Sequence, residues 1–356
     1  MRTLPTPCAV VDEAIVEANT RRVSAKFLAL GVGLRPHVKT HKCLEAARLQ
    51  VRGHSGAITV ATLDEGRFFR QQGFTDITLA VPIALSRVPS AVALGLGLLV
   101  DSKEAVDVVR AHPCSVWLKV DCGNGRAGVD PHSDEAVVLA RRLHEAPSVR
   151  FRGVLAHGGH SYACRTVEQV RAVAEEERWV TVAFAGRLRA EGIPVEGISI
   201  GSTPTCVHGE RFDGVTEVRP GNYVFFDAFG VAIGSCSLAD CAMTVVTSII
   251  GVYPNRKTAI CDAGALALSK DPGPRHVDPD CGHGVVCDLD GTPRDLKLVS
   301  LSQEHGKLTG DLRSIRVGDR LRIVPNHSCL AAALYPRYAV HRGGKPVAVW
   351  EKLGAR

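Results

Sequence analysis

The residues best suited to chemistry form one run, Arg35-Pro36-His37-Val38-Lys39-Thr40-His41-Lys42-Cys43. Lys39 stands among Arg35, His37, His41 and Lys42, and neighbouring positive charge disfavours the ammonium form. This lysine is therefore expected to give up its proton readily. A neutral amine attacks carbonyls, which makes Lys39 a candidate Schiff-base lysine. The competing reading is a basic strand end facing solvent. An apolar stretch, Leu28 to Leu34, leads into the run, and a helical pattern, Lys42 to Val51, follows it. The cluster thus sits where a buried strand hands over to a helix. In barrels of alternating strands and helices, catalytic groups collect on that face.

Further polar segments also follow apolar strand candidates. They are Asp121 with Arg126, His157 to Tyr162, Gly201-Ser202-Thr203-Pro204-Thr205, and Arg219-Pro220-Gly221-Asn222. Gly201-Ser202-Thr203 closes the seventh strand candidate and Gly221-Asn222 opens the eighth. In such barrels the loops after strands seven and eight cradle phosphate, because glycine lets backbone N–H groups approach its oxygens. Either segment alone reads as a plain turn. Together with an amine at Lys39 they suggest pyridoxal 5′-phosphate, which needs one amine and one phosphate nest. Tyr162, like His160, follows the sixth strand, where it either bonds the cofactor or packs half-buried. Arg126 is placed to hold the cofactor's phenolic oxygen or a substrate carboxylate, or to pair with Asp121.

Near the C-terminus, Pro325-Asn326-His327-Ser328-Cys329 sets an imidazole and a thiol on one side of an extended segment, since alternate residues share a face. That pair suits a borderline-soft ion such as zinc. Two protein ligands leave positions open for water or substrate. Gln303-Glu304-His305-Gly306 is a candidate support for those ligands. Cys281-Gly282-His283 reads as a loop.

The elements that must position these groups come in two textures. Strand candidates at Val32–Val38, Ala57–Ala61, Ile77–Val81, Leu96–Val100, Ser115–Val120, Phe151–Ala156, Gly197–Ile200 and Asn222–Phe226 alternate with helices such as Ser102–Ala111, Asp134–Ala146 and Thr166–Glu191. Eight strand–helix repeats predict an α/β fold, a (β/α)8 TIM-type barrel, over residues 1–235. A doubly wound sheet is the runner-up, but no Gly-x-Gly-x-x-Gly follows the first strand. Residues 236–356 read as an all-β domain carrying the metal ligands, with strands separated by Asp-Gly, Pro-Gly and Asn/Pro turns. A strand at Cys8–Val11, followed by a helix capped by Asp12, leaves residues 1–26 open to joining that β domain in part.

Composition narrows the function. A net charge of +6 over 356 residues, with 5% aromatics and no basic stripe, argues against nucleic acid and fits a small anionic ligand. The longest apolar run, Ala91 to Val100, is about half of what a membrane span needs, and Met1 to Val16 holds no signal-peptide core. Twelve irregularly spaced cysteines with no Cys-x-x-Cys predict reduced thiols in a cytoplasmic protein.

The segments Arg35 to Lys42, Gly159-His160-Ser161-Tyr162, Gly201-Ser202-Thr203-Pro204, Arg219-Pro220-Gly221-Asn222-Tyr223, Glu304-His305-Gly306 and Pro325 to Cys329 together resemble the D-serine dehydratase and D-threonine aldolase family. These are fold type III pyridoxal-phosphate enzymes shaped like alanine racemase. The resemblance implies that Lys39 carries the cofactor, that Tyr162, Thr203, Gly221 and Asn222 surround it, and that His327 and Cys329 hold a metal. Dehydratases of the family carry cysteine and zinc at the second ligand, whereas the aldolases carry aspartate, so Cys329 favours elimination. The implied activity is a lyase reaction, conversion of a D-3-hydroxy amino acid, D-serine first, to a 2-oxo acid and ammonia. The alternatives are D-threo-3-hydroxyaspartate dehydration, retro-aldol cleavage of D-threonine, and a non-catalytic pyridoxal-phosphate-binding protein. Fold type also implies a homodimer.

Overall fold

The computed structural model describes residue 1 and residues 3–354; positions 2, 355 and 356, which the sequence analysis counts in the barrel and β ranges, lie outside the described residues. The chain divides into two compact units. One comprises Arg22–Lys39 and Gln50–Gly221, the other Met1–Arg21, Thr40–Leu49 and the chain from Asn222 onward.

Strands are numbered along the chain. β1 (Cys8–Asp12) belongs to the second unit, and the next eight build the first: β2 (Gly33–Leu34), β3 (Ile58–Val60), β4 (Ile77–Leu79), β5 (Leu98–Val100), β6 (Cys114–Lys119), β7 (Val149–Leu155), β8 (Gly197–Ile200) and β9 (Glu217–Val218). All pair in parallel. One sheet runs β2-β9-β8-β7-β6-β5, and β3 pairs β4. Parallel bridges His37–Thr59 and Thr78–Gly97 join the two pieces into a ring. This is the predicted (β/α)8 barrel. Its strands are short apolar runs buried on both faces, as parallel strands under helices must be. The helices after Thr62, Ser102, Ser133 and Thr166 each start on a hydroxyl that accepts an N–H three residues on. Capping thus fixes where strand ends become helix starts.

One predicted strand is displaced. The eighth strand is Glu217–Val218, and Asn222–Val224 is a 3-10 turn instead. The N–H groups of Phe225 and Phe226 both fold back onto the Asn222 carbonyl, at 3.0 and 2.8 Å. The apolar run Tyr223 to Phe226 is buried as expected. Hydrophobicity reports burial, though, and does not separate a strand from a turn over four residues. Gly221-Asn222 therefore follow the eighth strand and do not open it.

The second unit holds β1 with β10 (Met243–Tyr253), β11 (Thr258–Cys261), β12 (Val285–Cys287), β13 (Pro293–Leu301), β14 (Gly306–Gly310), β15 (Arg320–Val324), β16 (Arg337–Arg342) and β17 (Lys345–Glu351). The sheet order is β11-β14-β13-β12-β15-β10-β1-β16-β17, and β10 also pairs β11, so six strands close on themselves. β1 runs antiparallel to β10 and parallel to β16. Val11, Val245, Leu298, Leu308, Ile323 and Tyr338 are among the buried core side chains.

Candidate functional site

Lys39 lies in the turn after β2, exposed. Among the described residues its Nζ makes no hydrogen bond or ion pair. The turn is held from both sides. His37 N–H donates to Pro220 O at 2.9 Å and Val38 N–H to Thr59 O at 3.0 Å. A Cβ on Gly221 would lie 2.7 Å from His37 O, so only glycine lets the two loops come this close. Of the cations predicted around Lys39, Arg35 and His41 turn elsewhere. Arg35 is buried and points its guanidinium at Asp76, 2.7 and 2.8 Å from the two carboxylate oxygens, and at Glu217, 2.9 Å. His41 is buried in the other unit, where its Nδ1 takes the Cys43 N–H at 3.1 Å. A buried guanidinium demands carboxylate partners, and the sequence run carried no sign that distant ones were available.

The cationic surroundings come instead from residues inside the barrel. Burial holds His157 down at about 3, helped by Arg219, Lys39 and Lys119 and opposed by the bond to Gly201. Its Nδ1 is 3.0 Å from the Gly201 carbonyl, which can only accept, so Nδ1 carries the proton and Nε2 is left as an acceptor. Lys119 is buried and its pKa falls to about 8, chiefly by desolvation. Arg219, also buried, donates to Ser199 Oγ and to Ala156 O. Opposing these charges is Glu177, fully buried on the helix Val167–Ala190. Its Oε1 accepts the N–H groups of Gly158 (2.5 Å) and Gly201 (2.8 Å), tying together the loops after β7 and β8.

Ser202 and Thr203 open the short helix Thr203–His208. Ser202 Oγ accepts the Thr205 N–H, while Thr205 Oγ1 accepts the Ser202 N–H. Ser202 Oγ also bonds Ser161 Oγ at 2.9 Å, a second tie between the two loops. Gly201 sits at φ +115°, where a Cβ would strike Cys206 Sγ at 2.7 Å. Tyr162 lies on the 3-10 turn Gly159–Ala163 after β7. Arg126 is exposed; Asp121, its suggested partner, spends its carboxylate on the N–H groups of Gly123 and Gly125.

The second unit carries the candidate metal ligands. His327 and Cys329 are not on an extended segment: Ser328–Ala333 is a helix with His327 at its N-cap. The alanines after Cys329 favour helix over strand. The two side chains nevertheless meet in a hydrogen bond. Burial works against the His327 imidazolium, but the Cys329 thiol, Asp227 and Asp271 outweigh it and push the ring up to about 9. Thr40 Oγ1 bonds Cys329 Sγ at 3.1 Å, and Asn222 Nδ2 donates to Ser328 Oγ at 2.8 Å. Among the described residues no three His, Cys, Asp or Glu gather to hold a metal ion.

His157, Arg219, Lys119, Glu177 and Asp227 carry no assigned role in the sequence analysis. Some left a trace. Lys119 ends an apolar strand, and Glu177 falls on the apolar stripe Val170-Ala174-Thr181-Phe184-Leu188 of its helix. A charge at a core position signals a buried partner.

The groups present fit the two expected cofactors. An exposed amine without partners among the described residues, over a buried set of cationic side chains, suits an anionic aldehyde. Imidazole nitrogen and thiol sulfur side by side suit zinc. Residues 11–228 match the family model described as alanine racemase, N-terminal domain, and residues 242–341 match the putative serine dehydratase domain. The chain is 40% identical to D-threo-3-hydroxyaspartate dehydratase of Delftia sp. (strain HT23), over 99% of this chain and 98% of that one. It is 35% identical to D-serine dehydratase of Dictyostelium discoideum, over 96% and 94%. A solved cysteine-to-alanine variant of D-threo-3-hydroxyaspartate dehydratase, in the metal-free form, superposes with a TM-score of 0.95 at 38% identity, covering 100% of this chain and 99% of that one.

Proposed function

The chain belongs to the family of the alanine racemase N-terminal domain, here joined to a serine dehydratase domain, and on that premise we propose that it is a pyridoxal-phosphate- and zinc-dependent dehydratase of D-3-hydroxy amino acids. D-Serine and D-threo-3-hydroxyaspartate are the two substrates to try first, since relatives bear both names. The observation that carries elimination over aldol cleavage is the hydrogen-bonded His327–Cys329 pair, a nitrogen–sulfur donor set that suits zinc.

When bound, pyridoxal phosphate supplies an electron sink for charge released at the substrate's Cα, and zinc a Lewis acid for its β-hydroxyl. Lys39 would hold the cofactor through Nζ, and its amine would take the Cα proton on that same atom. Gly201, Ser202, Thr203, Gly221 and Asn222 hold the phosphate. Tyr162 bonds the cofactor, and Arg126 takes its phenolic oxygen or the substrate carboxylate. His157 stays neutral at working pH and offers Nε2 as an acceptor. His327 and Cys329 hold the ion. By fold type the enzyme works as a homodimer. Twelve cysteines with no disulfide among the described residues support a cytoplasmic home, and no helix among the described residues is long and apolar enough to cross a membrane.

The test is a panel of D- and L-3-hydroxy amino acids given to purified protein with pyridoxal phosphate, with and without a chelator. We expect 2-oxo acid and ammonia from D-substrates alone, lost on chelation, restored by zinc, and absent in K39A. Glycine plus an aldehyde as products, or no ammonia from any D-substrate, overturns the assignment.

A further inference from the structure

The main chain of the segment that carries His327 and Cys329 is held by the start of the helix Ala228–Ala232. The helix's first N–H groups, of Ala228 and Phe229, donate to Pro325 O and Asn326 O, each at 3.1 Å. The residue before them, Asp227, is only 1% exposed. Its Oδ1 caps the helix in the ordinary way, accepting the Gly230 N–H at 2.9 Å. Its Oδ2 leaves the helix and accepts the Ser328 N–H at 2.9 Å and Asn222 Nδ2 at 2.8 Å. Main-chain groups on both sides of His327 are therefore held by Asp227 and its helix. The imidazole also faces the same carboxylate, its Nδ1 3.7 Å from Oδ2, beyond hydrogen-bond length and within ion-pair reach. Just upstream, Phe226 is kept at φ +48°. That left-handed conformation is strained for a bulky residue, and it persists only where the surroundings enforce it.

A cap alone needs one oxygen. The second takes Ser328 of the ligand segment and the Asn222 amide, so with two donors already on it this oxygen serves as a support and not as a further ligand. Imidazoles that bind metals commonly rest their other nitrogen on a carboxylate, which fixes ring orientation. With Nδ1 turned to Asp227, Nε2 is the nitrogen left for an ion.

We propose that Asp227 is a positioning residue for the metal, its buried carboxylate setting the backbone and ring of His327 so that Nε2 and the Cys329 sulfur are presented together. This rests on the reading of His327 and Cys329 as zinc ligands. Two variants separate the roles of the two oxygens. D227S keeps a hydroxyl to cap the helix and removes the oxygen that reaches Ser328; D227N removes the charge and turns one of the two acceptor positions into an N–H donor. The measurement is zinc affinity of the full chain loaded with pyridoxal phosphate, by competition with a chromophoric chelator, with cofactor content and thermal midpoint read alongside. We expect zinc affinity to fall about 10- to 100-fold in each variant, with cofactor content at the wild-type level. Unchanged zinc affinity overturns the proposal. So does loss of zinc only in step with loss of cofactor and of folding in both variants, which makes Asp227 a residue of the fold alone. If the wild-type chain takes up no zinc, the metal reading fails first and this inference falls with it; wild-type uptake with unaffected variants sinks only the inference.

Discussion

His157 shows how burial sets the working state of a single side chain. Taking the ring out of water disfavours its charged form, and the nearby Arg219, Lys39 and Lys119 add to that, so the ring stays neutral down to about pH 3. The unfolded chain takes up that proton near the ordinary histidine value of about 6.5. Below that pH the unfolded state binds more protons than the folded one, so stability falls as pH falls. We expect the wild-type protein to lose about 1–2 kcal/mol between pH 6.5 and 5 through this residue. H157Q should not show that part of the loss. Urea midpoints of both proteins at the two pH values check it; identical pH slopes would show that His157 titrates normally.

At the scale of elements, the loops after β7 and β8 depend on a helix that follows only one of them. Glu177 reaches from Val167–Ala190 to the N–H groups of Gly158 and Gly201, and these groups have no water to turn to. Stranding both donors costs about 1–3 kcal/mol each. We expect E177A to lose about 2–4 kcal/mol of unfolding free energy and to bind pyridoxal phosphate more weakly. E177Q keeps an acceptor oxygen and should retain most of both. Urea titration and fluorescence titration of the cofactor measure the two effects. Equal, wild-type behaviour in both variants would remove Glu177 from the cradle.

For the whole molecule, the ends of the chain matter more than their position suggests. β1 lies inside the nine-stranded sheet, with Ala9 opposite Val245 on one side and Val11 opposite Val340 on the other. Without it β16 and β17 lose their attachment to the rest of that sheet. Removing residues 1–12 should therefore abolish the cooperative unfolding transition of the β unit, seen in near-ultraviolet circular dichroism, and the protein should aggregate. A truncated chain with a wild-type melting profile would show that the β1 pairings contribute nothing.

The amino-acid sequence alone determined the strand–helix alternation, the barrel and the β-rich remainder, because those follow from the period of apolar residues and from local capping chemistry. It also marked Lys39, the two glycine loops and the His327-x-Cys329 pair, whose residue types declare their chemistry within a few positions. Two local expectations were wrong. Asn222–Phe226 is a turn, and Cys329 lies on a helix, since short apolar or mixed runs do not encode φ and ψ. Only the tertiary structure decided that Arg35 is neutralised by Asp76 and Glu217, that Lys119, Arg219 and Glu177 are buried together with Lys119 and Arg219 acting on His157, and that Asp227 grips the His327–Cys329 segment. Each depends on partners tens to hundreds of residues away. The charge a buried group carries is set by those partners and by lost water, and neither is written in the local sequence.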